Sequence, residues 1–388
     1  MESRLPEPSA DAQAVSLQLT HLIADEIRAR GGWISFARYW ELALYTPGLG
    51  YYSGGSQKFG SADEGGDFVT APELTPLFGQ ALARQVAQIM ATSAPVVLEA
   101  GAGSGKLAAD LLTALKTLGQ TPERYLILEL SGELRARQQS TIEALAPELL
   151  PLVQWLDALP ERFSGCVVGN EVLDAMPVHR LYWSAEGLQE LGVALDQSND
   201  FVVASAPANA TLHRAAAALP VEAPYRSEVG LAGRAWTAEW AQRLDKGALL
   251  LIDYGLPRHE YYHPQRDGGT IRCHYRHRTH DDPFWFLGLS DITAHVDFTA
   301  IAEAGFEAGL DVLGYTTQSA FLMNCGIAEL LALRHRNDAP AAAVKASGAL
   351  QLLMSPNEMG ELFKVIALGR GIEEPLLGFS RGDRIHSL

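Results

Sequence analysis

Cysteine is scarce: the 388-residue chain has three, Cys166, Cys273 and Cys325. An odd number so widely spaced fits neither a disulfide framework nor a CxxC zinc site, and a reducing compartment is the expectation. Positive charge is short as well. Thirty basic against 46 acidic residues leave a formal charge of −16, which disfavours a protein that grips nucleic acid by neutralising phosphates. No apolar run approaches the roughly 20 residues that span a bilayer, so no membrane segment is expected. The first 15 residues, MESRLPEPSADAQAV, are acidic and proline-bearing, unlike a signal or transit peptide. A cytoplasmic location is the reading these absences suggest. Internal repeats and low-complexity tracts are lacking too. The histidines His274, His277, His280 and His295 form no compact ligand pattern with an acid of the HExxH type, so no metal is expected.

What is present describes a folded chain. Hydrophobic residues make up 47% and charged residues 20%, enough to bury a sizeable core in one or two domains. Residues 1–13 read as a flexible leader, and 14–92 as an N-terminal helical and loop segment covering a ligand site. Within it, helices are expected over 15–30, ending at Gly31-Gly32, and over 74–90. The apolar-aromatic stretch 34–44 runs between them into a glycine-rich loop that begins at Tyr45. From residue 93 onward the pattern alternates strand and helix. Apolar runs at 96–100, 125–130, 152–155, 166–169 and 248–252 read as strands buried on both faces, joined by 310–315 and 363–368. This implies an α/β, doubly wound, mostly parallel sheet over 93–257 and 291–372. A hairpin insertion is expected at about 183–206, an irregular histidine-rich insertion at 258–290 and a tail at 373–388. Cys166, inside a strand, reads as core.

The sharpest local signal is Val96-Val-Leu-Glu-Ala-Gly-Ala-Gly-Ser-Gly-Lys-Leu, in which a buried strand enters a helix through Gly101, Gly103 and Gly105. Glycines there let the backbone turn sharply and approach a ligand near the free N–H groups of a helix N-terminus. The dinucleotide fingerprint needs glycine where Lys106 stands, and a Walker loop needs Ser or Thr where Leu107 stands. Neither phosphate motif fits. E-x-G-x-G-x-G does fit, the pattern of class I S-adenosylmethionine (SAM) methyltransferases, with Glu99 two residues before the first glycine. SAM carries a sulfonium and an amino group but no phosphate, so an acid beside the loop attracts it. Glu129, ending the next strand, is placed to accept hydrogen bonds from both ribose hydroxyls. Trp155 and Leu156 follow the third strand, where adenine is contacted, although Trp155 equally suits core packing. Thr70, Leu130 and Asn170 complete the expected cofactor set. Asn170 and Glu171 end the fourth strand and should face the transferred methyl; the alternative is that Asn170 and Asp174 only cap a helix.

Five segments taken together resemble the MidA family of SAM-dependent methyltransferases: Gly66-Asp-Phe-Val-Thr-Ala-Pro-Glu, Leu98-Glu-Ala-Gly-Ala-Gly-Ser-Gly, Gly169-Asn-Glu-Val-Leu-Asp-Ala-Met-Pro-Val, Ile252-Asp-Tyr-Gly and Asp291-Ile-Thr-Ala-His-Val-Asp-Phe. The resemblance spans about residues 20 to 370. It implies a class I methyltransferase core with a seven-stranded sheet, SAM as cofactor with S-adenosylhomocysteine as product, and a protein substrate methylated on arginine. A guanidinium acceptor, with a pKa above 12, must be oriented by carboxylates that localise its charge away from the attacking nitrogen. Glu171 is the first catalytic candidate, with Glu73 and Asp174 as partners. Glu73 is otherwise a favourable charge in a first helical turn. His295 either positions the acceptor or caps the helix starting near Val296, and Asp253-Tyr254-Gly255 could close the acceptor side. A small-molecule methyltransferase and a non-catalytic SAM-binding assembly protein are the alternatives. The sequence is compatible with a homo-oligomer.

Overall fold

The apolar runs of the middle of the chain fold into one sheet in the computed structural model, which describes residues 5–54, 70–337 and 339–388. In chain order its strands are β1 (Val96–Ala100), β2 (Arg124–Leu128), β3 (Val153–Leu156), β4 (Phe163–Asn170), β5 (Leu244–Leu256), β6 (Asp311–Thr317) and β7 (Phe363–Arg370). They lie in the order β6-β7-β5-β4-β1-β2-β3. Pairs β1/β2, β2/β3, β1/β4 and β4/β5 are parallel, while β7 runs antiparallel to β5 and β6. Every residue of β1 is buried. Covered on both faces, such a strand needs apolar residues at successive positions, and this is why it reads as a continuous run. The doubly wound α/β fold expected from the alternation is the fold observed.

Strand order reverses between β1 and β4: the chain builds outward from β1 to β2 and β3, then returns to place β4 on the opposite side of β1. The carboxyl ends of those two strands flank the crevice in which open α/β sheets bind ligands.

The chain forms two units, and the sheet belongs to the one made of residues 69–172, 236–255 and 298–388. Helix Pro76–Thr92 is part of it, started by Pro76 and by the Thr75 hydroxyl, which accepts the Leu77 N–H at 3.3 Å. The stretch expected as a tail is instead packed here. Gln85 and Gln88 accept the Gly378 and Leu377 N–H groups at 2.8 Å each, and Phe379 meets Phe321 with ring centroids 5.5 Å apart. No helical or strand period marks 373–388, so only these long-range contacts reveal its place.

The other unit, residues 1–68, 173–235 and 256–297, is also more regular than its sequence suggested. Helix Ala10–Ala29 begins inside the expected leader, capped by Ser9. The hairpin Gly187–Leu195 with Phe201–Pro207 is part of a five-stranded sheet with Trp33–Ser35, His179–Ser184 and Tyr225–Val229. Within 258–290, expected to be irregular, Arg272–Tyr275 and Arg278–His280 pair as strands, and Asp291–Thr293 joins them. Residues 66–69 of the first family segment and 1–4 of the leader lie outside the described residues.

Candidate active site

The glycine loop leaves β1 and enters helix Lys106–Thr117 with Gly101, Gly103 and Gly105 at φ 65°, 51° and 85°. Two of these positions leave little room for a side chain, Gly105 least. A Cβ on Gly105 would stand 2.8 Å from Gln138 Cα, and one on Gly101 would press against Val172 at 3.2 Å. Gly105→Ala therefore combines a left-handed strain of about 1–2 kcal/mol with a clash against a helix. The expected outcome is at least roughly tenfold weaker S-adenosylhomocysteine binding by calorimetry, about 1.4 kcal/mol; wild-type affinity would show that the loop backbone does not shape the site.

Acids flank the loop on both sides. Glu73, in the first turn of the short helix Ala71–Leu74 whose N-cap position is Thr70, accepts a hydrogen bond from the Ser104 hydroxyl of the loop. Glu73 is thus both a first-turn charge and a loop contact. Ser104 was not anticipated, because nothing in its spacing distinguishes it from a turn serine. Glu99 lies in β1, only 2% exposed, with the Tyr125 hydroxyl donating to it at 2.6 Å. Tyr125 and Glu99 share a face of the sheet through the period-two alternation of β1 and β2. Burial pushes the Glu99 carboxyl up to about 7, against the Tyr125 bond, which favours the ionised form. Lys106, which a phosphate ligand would need, is paired with Asp110. Two acids beside the loop and a committed lysine suit a ligand with a cationic end and no phosphate, and so fit SAM.

At the end of β2, one Glu129 oxygen accepts the Ser131 N–H at 2.9 Å and the other the Gln138 side-chain N–H at 3.0 Å. Burial raises its pKa above the ordinary value, opposed by these bonds. Arg135 donates to the main-chain oxygens of Glu129 and Leu156 and pairs with Asp157 at 2.6 Å, joining the ends of β2 and β3. Leu130 stands 79% exposed at this rim, an apolar surface suited to a base, and Leu156 is half-buried. Trp155 packs partly against the core and donates its indole N–H to Gln138 at 2.9 Å. Its polar atom is committed inside the protein. Gln138 itself was missed by sequence reasoning. The available signal was a lone polar residue between Leu134 and Ile142 on the buried face of helix Gly132–Leu145.

At the end of β4, Glu171 is a non-glycine residue at φ 54°. That conformation is sterically costly, and three bonds hold it: the Glu171 N–H to Ile252 O at 2.9 Å, the Val172 N–H to Asp253 Oδ2 at 3.1 Å, and Asn170 Nδ2 to Glu171 Oε1 at 3.0 Å. Asn170 Oδ1 is buried with no hydrogen-bond partner among the described residues. Asn170 caps no helix. Asp253 is buried and also accepts the Tyr254 N–H, so it serves as the anchor of this turn.

Asp174 and His295 belong to the other unit. Asp174 is buried, and its main-chain oxygen accepts the Ala294 N–H at 3.1 Å; the His295 N–H donates to Thr270 Oγ1 at 3.1 Å. Among the remaining histidines, His274 bonds Thr293 and is lowered to about 4 by burial, and His280 bonds Ser290. No group of three or more His, Cys, Asp or Glu among the described residues could hold a metal ion. No helix of the described residues is long and apolar enough to cross a membrane. All three cysteines are buried, and Cys166 has its thiol pushed far up by desolvation.

Comparison with known proteins supplies an independent view. Residues 79–316 match the Methyltransf_28 family model of S-adenosyl-L-methionine-dependent methyltransferases. A Burkholderia thailandensis protein crystallised with S-adenosyl-homocysteine superposes with a TM-score of 0.95 at 54% identity, covering 99% of this chain and 100% of that one. Curated relatives include the mitochondrial protein arginine methyltransferase NDUFAF7 of Mus musculus, 30% identical over 92% of this chain and 86% of its own length. The Homo sapiens protein of the same name is 29% identical over 91% and 83%. These names overturn the cytoplasmic expectation: relatives matched along nine-tenths of the chain are mitochondrial. The scarcity of cysteine that prompted it reports redox conditions, which a cytoplasm does not monopolise.

Proposed function

The chain belongs to the S-adenosyl-L-methionine-dependent methyltransferase family, and from that premise we propose that its acceptor is a protein arginine. Bound SAM supplies an electrophilic methyl on a sulfonium. The glycine loop presents bare backbone to it, Glu129 takes the ribose hydroxyls, Leu130 and Leu156 flank the base, and Thr70, Glu99 and Asn170 line the remaining cofactor positions. Displacement at the methyl requires an acceptor nitrogen held in line and dry. Glu171 pairs with the guanidinium, draws its positive charge onto the nitrogens that do not attack, and accepts the proton released on transfer. Glu73 supports the loop side through Ser104. The candidates in the other unit, Asp174 and His295, enter the same assay as Asp174→Asn and His295→Ala.

The observation that carries this reading is the strained Glu171, a carboxylate held at the switch point of the sheet by Ile252, Asp253 and Asn170. Its chemistry suits a cationic acceptor, in keeping with the arginine methyltransferase names of the relatives. The test is mass spectrometry of proteins from an extract lacking this enzyme, incubated with it and isotopically labelled SAM. Label on arginine nitrogens is the expected result. Label confined to lysines or to small metabolites would refute the acceptor assignment and leave the methyltransferase reaction intact.

A further inference from the structure

Gln138 has no exposed surface, yet it carries a carboxamide on the buried stripe that Leu134 and Ile142 continue one turn to either side. Burying such a group is costly unless its hydrogen bonds are made. All the partners lie at the cofactor rim. Gln138 Nε2 donates to Gly103 O at 3.2 Å and to Glu129 Oε2 at 3.0 Å, while its Oε1 accepts the Trp155 indole N–H at 2.9 Å. Two acceptors face the amino group and one donor faces the carbonyl, so only one amide orientation satisfies them. The same residue's Cα backs Gly105.

We propose that Gln138 is a positioning residue of the cofactor site: its carboxamide ties the Glu129 carboxylate to the Gly103 turn and to Trp155. The ribose-binding acid and the glycine loop are thereby held in one geometry. The inference rests on the reading that Glu129 takes the ribose hydroxyls. Ser131 and Gln138 donate to different Glu129 oxygens, and a carboxylate has about four lone-pair sites, so it is oriented without being used up. Leucine would fill the same stripe and leave Glu129, the Gly103 carbonyl and the Trp155 N–H unmatched.

The test is calorimetry of S-adenosylhomocysteine binding, with melting temperatures, on wild type, Gln138→Leu, Gln138→Glu and Glu129→Gln. Gln138→Leu and Glu129→Gln should each bind at least tenfold more weakly. Gln138→Glu keeps the acceptor for Trp155 but sets a second carboxylate against Glu129. The groups facing it are Glu129, the Gly103 carbonyl and Trp155, with Arg135 on the same helix already paired to Asp157. Compared with wild type at the same pH, its affinity should be near equal at pH 5, where the two carboxyls share a proton, and at least tenfold weaker at pH 8. Lowered melting temperature with an unchanged pH profile in Gln138→Glu overturns the proposal, as a packing role alone would give. Wild-type affinity in Gln138→Leu alone also overturns it. Wild-type affinity in Glu129→Gln removes the ribose assignment and the inference with it.

Discussion

Replacing Glu171 with alanine should cut methyl transfer by roughly 10²–10³-fold, the scale set by loss of one preorganised electrostatic group at a reacting centre, while S-adenosylhomocysteine affinity stays within about threefold. Glu171→Gly should lose the same activity but give a more stable protein than Glu171→Ala. Alanine keeps the left-handed strain at φ 54°, whereas glycine adopts that conformation freely; the difference is about 1 kcal/mol after glycine's own entropy cost. Both variants lose the Asn170 bond to the side chain, so that bond cancels in the comparison. Labelled-methyl transfer and thermal unfolding of the two variants measure both quantities. Full transfer by Glu171→Ala would show the strain to be structural. Equal stability of the alanine and glycine variants would show that the three surrounding bonds do not enforce the conformation. Strain retained at a residue whose removal costs activity rather than stability is the pattern expected of a site maintained for chemistry.

Glu99→Gln should change how stability depends on pH. The Glu99 carboxyl is raised from 4.5 to about 7 by burial, so between those values the folded state holds a proton that the unfolded chain has released. Stability from this group is therefore complete below pH 4.5 and is lost as pH rises through 7, a difference of about 3 kcal/mol. Glutamine has no proton to lose and can still accept from Tyr125. Melting curves of variant and wild type should coincide near pH 4.5 and separate by pH 8, with the variant higher. The cofactor should oppose this trend: a cationic ligand beside Glu99 gains from the ionised acid, so the variant should bind SAM more weakly at pH 8. Parallel melting curves across that range would mean that Glu99 is already ionised, or already compensated, inside the sheet. Tyr125→Phe removes the bond that favours ionisation and should steepen the loss of stability with pH.

Much of this site could be read from local sequence because its physics is local. Gly101, Gly103 and Gly105 stand at positive φ where a tight strand-to-helix turn demands them, and β1 is a continuous apolar run because both its faces are covered. Glu99 and Glu129 were identified by their distance from the glycines along the chain, which the strand-helix-strand unit converts into proximity at the ends of β1 and β2. Trp155 could not be resolved that way. Core and ligand readings use the same indole, and its partner Gln138 lies 17 residues away on another element. The packing of 373–388 was hidden for a related reason: the glutamines that hold it lie nearly 300 positions earlier in the chain.

The sequence by itself determined the class of fold and the glycine turn that follows β1. Alternation of apolar runs and glycine spacing act within a few residues of one another. Only the tertiary structure decided how the carboxylates differ. Tyr125 donates to buried Glu99, Ser131 and Gln138 orient Glu129, Ser104 engages Glu73, and the anchor Asp253 holds Glu171 in a strained turn. A carboxylate's charge and direction depend on which distant groups exclude water from it and which donate to it, and chain folding alone brings those groups together.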